Sequence, residues 1–463
     1  MKYILKLLLL TLIFGFTNLQ ILWSQSGYEI QINLKNNNDS VFYLANYYAD
    51  KFFISDTSAG KKGSAVFTGQ NKLKQGIYIL ANQKKEKVIE FLVGEEQFFR
   101  ISFGEDLNPE KAVINGSIDN QLFFEHIGKV NKVFSQVQQI QAELSKIENE
   151  PDKKDVLIAK IDSLNKNIAD FRLSIIENNP DLLFTKILLA MQEPEIPAEL
   201  NDDKEAAFKF YKNNFWKTFD LSDERLLMTP LLPRKLENYF TQLVLPVADS
   251  IIMETDYLIS LTKDNQTMSD FLVWHFVSEY QTPKIMGLDK VFVHLADTYF
   301  SAGKVSNVTP SVLENVMDRS NKMRNALVGN PAPDLMLIDT AGNFRSFREL
   351  NSDFIILIFW DQTCSHCKTE MAIIDELFSR KKYDLNVYAI NSTNDFDAWK
   401  KYVKDKNYQW LHVNGTKSIT QDFHNLYDIY SVPVIYVLDK SRTIIGKRIS
   451  AAQIEGILQN RAN

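Results

Sequence analysis

Only two cysteines occur in the 463 residues, and they stand one helical turn apart, in the stretch Asp361-Gln362-Thr363-Cys364-Ser365-His366-Cys367. A cysteine attacks only as the thiolate, and a helix N-terminus favours that charge through its unpaired N–H groups and macrodipole. The run Phe354 to Trp360 is apolar throughout, as expected of a strand buried on both faces, and a helical pattern follows from about Ser365 to Arg380. This strand–loop–helix order puts Cys364 at the helix start, with Cys367 within reach of the same sulfur. The chemistry expected is two-step thiol–disulfide exchange, in which Cys364 attacks and Cys367 resolves the mixed disulfide. A chance pair or half a zinc site is the competing reading. Structural zinc wants four ligands, and here histidines such as His366, His412 or His424 would have to supply the rest. A c-type haem needs histidine straight after the second cysteine, where Lys368 stands. No metal and no diffusible cofactor are expected, only a redox-active Cys364–Cys367 disulfide.

The segment that must position this pair is an alternation of strands and helices. Strands are expected at Leu335 to Ile338, Phe354 to Trp360, Leu385 to Ile390, Trp410 to Val413, Val434 to Leu438 and Thr443 to Ile449. Helices fall between them and at the chain end, from Ala452 to Arg461, which suits a mixed sheet covered on both faces. The prolines of Gly329-Asn330-Pro331-Ala332-Pro333-Asp334 mark where this domain begins.

Upstream the pattern changes twice. From about Gly27 to Gly116, alternating runs such as Ile30, Ile32 and Leu34 indicate a small antiparallel β-domain, a sandwich. From Asp119 to Gly329 apolar residues fall three and four apart, giving roughly seven to nine helices. The first two of these, parted at Asn149-Glu150-Pro151, form a long hairpin. His126, His275 and His294 lack paired ligand spacing and read as packed or exposed side chains.

The fold class is therefore multidomain: an amino-terminal all-β domain (25–118), a middle all-α domain (119–327) and a carboxy-terminal α/β domain (328–463). Residues 1–24 read as an export signal, with Lys2 and Lys6 ahead of an apolar run and Ser24-Gln25-Ser26 after it. An uncleaved membrane anchor is the alternative. The mature chain is expected in the periplasm. A net charge of −6 and the lack of a long Lys/Arg run argue against general nucleic-acid binding.

These motifs carry a resemblance. Gly-Asn-Pro-Ala-Pro-Asp at 329–334, Phe359-Trp360, Cys-Ser-His-Cys at 364–367 and Val432-Pro433 before an apolar strand resemble the thioredoxin-like oxidoreductases of the TlpA/ResA type. The likeness covers about Val328 to Asn463 and implies a thioredoxin fold. The upstream domains are similar to those of exported Bacteroidota-type proteins. The resemblance further implies that Pro433 is a cis-proline facing the disulfide, that Trp360 and Val432 line the substrate site, and that Glu370 handles protons. His366 occupies the position that in strongly oxidising relatives stabilises the thiolate. Thr363, Ala372 and Ile358 depart from the wider pattern, replacing a tryptophan, a proline and a buried aspartate.

The function expected is a periplasmic thiol:disulfide oxidoreductase acting on cysteine-containing exported proteins as reductant or isomerase, with a membrane dithiol as electron donor. The overall likeness leans towards reductants, His366 and Val432 towards oxidants. Two rivals stand beside it. One is a partner-binding protein regulated by the redox pair. The other is a thiol peroxidase, disfavoured because Asp361 stands where such enzymes place threonine.

Overall fold

The computed structural model describes residues 26–35, 37–147, 150–263 and 265–462. The export signal expected at 1–24 lies outside the described residues. The chain divides into two compact units: residues up to 220 with 224–236, and 221–223 with 237–463. The helical stretch is thus shared between the two.

In the first unit, eight strands form two four-stranded sheets: β1 (Tyr28–Leu34), β2 (Val41–Tyr48), β3 (Lys51–Ala59), β4 (Ser64–Gly69), β5 (Gly76–Ala81), β6 (Lys87–Val93), β7 (Phe98–Phe103) and β8 (Val113–Asn115). Their orders are β4-β1-β7-β8 and β3-β2-β5-β6. Alternate residues of both, among them Ile30, Ile32, Phe42, Leu44, Phe91 and Ile101, share one core, so the domain is a sandwich. It is not wholly antiparallel, because β1 and β7 pair in parallel. That pairing joins strands far apart in sequence, and no turn signal announces it.

Helices α1 (Ile118–Leu144) and α2 (Pro151–Asn178) follow. Ser117 caps α1 by accepting from Asn120 N at 3.2 Å. The Asn120 side chain then pairs with Leu92 N and O at 2.8 and 2.7 Å, tying the helix start to β6. His126 on α1 is a packed core residue: Arg172 Nε donates to its Nε2 at 2.9 Å. Burial and that guanidinium push it down to about 4. Helices α3 (Leu183–Ala190) and α4 (Lys204–Asn214) complete this unit, and the division between units falls inside α5 (Leu231–Gln242).

The second unit contains α6 (Ala248–Ser260), α7 (Gln266–Tyr280), α8 (Asp289–Leu295) and α9 (Pro310–Asn325), then the carboxy-terminal sheet. On α8, His294 meets Asp256 at 2.9 Å, and the Tyr299 hydroxyl donates to the same carboxylate. The sheet strands are β9 (Met336–Asp339), β10 (Phe344–Ser346), β11 (Phe354–Trp360), β12 (Leu385–Asn391), β13 (Leu411–Ser418), β14 (Val434–Leu438) and β15 (Ile444–Lys447). Their order is β10-β9-β13-β12-β11-β14-β15. Strands β11, β12 and β13 run parallel, and the others pair antiparallel at either side. The helices are α10 (Ser365–Ser379), α11 (Phe396–Lys406), α12 (Phe423–Tyr427) and α13 (Ala451–Ala462).

Strand β11 is the centre of this sheet and explains its own sequence. Ile355, Leu357 and Phe359 point into one core with Phe347, Tyr388 and Tyr436. Ile356, Ile358 and Trp360 point into the other with Cys367, Met371 and Ile374. Two covered faces leave no position for a polar residue, hence the unbroken apolar run.

Candidate functional site

The site lies where β11 ends and α10 begins. Asp361 organises the intervening turn: its Oδ1 accepts from Thr363 N at 2.6 Å and Thr363 Oγ1 at 2.7 Å. Cys364 N donates to Asp361 O at 3.2 Å. Cys364 is the N-cap of α10, and its Sγ accepts the Cys367 N–H at 3.3 Å. A sulfur in that place receives the orphan donor that a capping oxygen would take elsewhere. Cys364 is half-buried, Cys367 fully buried, and both are free thiols. Burial, reinforced by its hydrogen bond with Cys364, pushes the Cys367 thiol up to about 12.

The Val432–Pro433 peptide is cis. The Cys364 thiol donates a long hydrogen bond, 3.9 Å, to Val432 O. Both residues are half-buried, so they and Cys364 meet at the surface. His366, two residues beyond Cys364, is exposed.

One expected residue sits elsewhere. Trp360 is fully buried, its ring 5.5 Å from Tyr402 and 6.3 Å from His412, so it backs the site from within the core and offers no surface to a substrate. The alternation of β11 sends it to the covered face with Ile356 and Ile358. Glu370, half-buried one turn beyond Cys367, has its Oε2 on the main-chain N–H of Ala451 at the start of α13.

Composition and periodicity missed the support beneath the loop. Gln362, Asn391 and Asn414 are buried. Asn391 Nδ2 donates to Gln362 Oε1 at 2.8 Å, Gln362 Nε2 to Thr393 Oγ1 at 3.1 Å, and Asn414 Nδ2 to Thr393 O at 2.8 Å. The available signal was position: Asn391 ends β12, and Asn414 is its partner where the parallel pairing with β13 ends, the side of such sheets where sites gather. Beside this network, His412 is buried among aromatic rings, and burial pushes it down to about 3. Among the described residues no three of His, Cys, Asp or Glu converge as metal ligands, and no helix is long and apolar enough to cross a membrane.

Comparison with known proteins gives three domain matches. Residues 328–447 match the AhpC/TSA family, and residues 28–123 and 142–322 each match a domain of unknown function. Over 138 residues the chain is 27% identical to the thiol-disulfide oxidoreductase ResA of Bacillus cereus, covering 28% of this chain and 77% of that one. It is 26% identical over 119 residues to the thioredoxin-like protein YneN of Bacillus subtilis, covering 25% and 68%. Among solved structures, a domain of a "possible thiol-disulfide isomerase" from Cytophaga hutchinsonii is 36% identical, with 29% of this chain and 93% of that one covered and a TM-score of 0.26. Cys364 and Cys367 lie within residues 328–447, which match the AhpC/TSA model; with the likeness to the ResA thiol-disulfide oxidoreductases, the chain belongs to the thioredoxin-like thiol-disulfide oxidoreductases and is an enzyme of that class.

Proposed function

We propose that the mature chain is a periplasmic oxidoreductase that exchanges disulfides with cysteine-containing exported proteins through Cys364 and Cys367, working as reductant or isomerase. The observation that carries this reading is the unequal pair at the start of α10: Cys364 half-buried and accepting an N–H, Cys367 buried one turn below. The Cys364 thiolate attacks one sulfur of a substrate disulfide, forming a mixed disulfide and expelling the other substrate sulfur as thiolate. Cys367 then loses its proton and attacks Cys364 Sγ. The remaining substrate thiolate leaves, and the two electrons given to the substrate leave a Cys364–Cys367 disulfide. A second dithiol, such as that of a membrane protein, reduces it again, so no diffusible cofactor takes part.

The other residues fall into supporting places. The main chain at Val432 and Pro433 holds an extended substrate segment against Cys364. His366, exposed beside the nucleophile, stabilises its thiolate and raises the potential. Glu370 acts through α13, whose first N–H it holds.

The test uses Cys367→Ser in the full mature chain. It should accumulate a mixed disulfide with a disulfide-bonded peptide, while Cys364→Ser should form none. Formation of the adduct in both variants, or in neither, would overturn this reading.

A further inference from the structure

Charge is buried where the upstream helices of the second unit meet its sheet. Asp428 is fully buried and ends α12 in the left-handed region, at φ 53°. Its Oδ2 lies 2.9 Å from Arg448 Nη2 and 3.8 Å from Arg319 Nη2, the latter reaching across from α9. Arg319 also donates to Gln281 O at 3.1 Å, and its guanidinium lies over the Tyr430 ring at 5.0 Å. A second pair, Lys447 with Asp289 of α8, is buried beside it. The two pairs line one cleft of about 140 Å³.

Buried ion pairs are costly: apolar residues of the same volume stabilise as well or better, and the best-attested return on the cost is a single fixed register. The register fixed here bears directly on the cysteine pair. Four residues after Asp428 comes Val432, whose carbonyl meets Cys364 Sγ. Between them Tyr430 is 59% exposed beneath the Arg319 guanidinium.

We propose that Arg319 is a positioning residue for disulfide exchange: through Asp428 and Tyr430 it presets the 428–433 loop, so that the Val432–Pro433 edge receives substrate without having to be ordered first. The inference rests on the function proposed above and gives the last upstream helices a part in it. An edge that is already ordered binds substrate at less conformational cost.

The test compares Arg319→Gln, Arg319→Lys and Arg319→Gln/Asp428→Asn in the full mature chain, with kcat and KM for a disulfide peptide, the alkylation rate of Cys364, the reduction potential and Tm. Arg319→Gln should raise KM and lower kcat/KM about ten- to a hundredfold, with the alkylation rate and potential of the wild type. Arg319→Lys should recover part of the loss. The double variant, freed of an under-compensated buried carboxylate, should regain Tm but not kcat/KM. Wild-type kcat/KM in Arg319→Gln, or recovery of kcat/KM together with Tm in the double variant, would overturn the inference while leaving the exchange chemistry intact. A wild-type chain that exchanges no disulfides would sink the function and this inference with it.

Discussion

Two loops meet at Cys364, and they are held by opposite means. The 361–364 turn is fixed by short-range hydrogen bonds: the Asp361–Thr363 bonds, the Gln362–Asn391 amide pair and the cap from Cys367. The 428–433 loop is fixed by buried charge, partly brought by a helix far upstream in sequence. The first arrangement is self-contained, and damage to it should stay at the nucleophile. The second ties the substrate edge to the helical region, so damage there should reach the site without touching the sulfur.

The largest expected effect ignores that distinction. Cys364→Ser removes the attacking atom and should lower exchange at least about a thousandfold, measured by turnover of a disulfide peptide. Asp428→Ala removes the buried carboxylate that Arg319 and Arg448, themselves partly exposed, hold in place. It should cost about 2 kcal/mol of stability and raise KM, while the alkylation rate of Cys364 holds. Asn391→Leu is its counterpart at the other loop: it strands Gln362 Oε1 and Thr393 N, should cost about 2 kcal/mol, and should change the alkylation rate of Cys364. If the two variants shift the same kinetic constant, the contrast between the loops is lost.

The pH dependence is smaller and sharpens the division between the sulfurs. Resolution needs the Cys367 thiolate, so mixed-disulfide release should quicken about tenfold per pH unit between roughly pH 6 and 9, followed by rapid quench. Stability runs the other way. A thiol raised on folding from 9.0 to about 12 favours the folded state below pH 9, and that contribution is lost as pH rises from 9 to about 12. Thermal melts of the reduced protein should show this loss, and those of the disulfide form should not. The smallest effect belongs to Glu370→Ala, about 1 kcal/mol from the lost cap on α13, with the slope of the pH–rate profile unchanged.

Much of the site was legible because it is local. The apolar run of β11, the helix from Ser365 and the cysteine spacing lie within a few turns of one another, and spacing constrains what is adjacent. The three-part order β, α, α/β was legible from changes of period. What escaped was assembled across the sequence. The parallel β1–β7 pairing and the Arg319–Asp428 contact leave no periodic trace, and neither did the role of Glu370, whose partner is on the last helix. Trp360 is a different case. An unbroken apolar strand already implies two covered faces, so its burial could have been inferred from the same run that placed the strand.

The most direct test of the central claim is equilibration of the full chain against dithiothreitol or glutathione buffers, with free thiols counted by alkylation and mass. The expected result is one two-electron transition in which Cys364 and Cys367 are lost together as an intramolecular disulfide. A midpoint near or below roughly −250 mV would mark a reductant, and one near roughly −120 to −180 mV an oxidant or isomerase under the influence of His366. Two thiols that stay free across the whole range, or that pair only between chains, would contradict the claim.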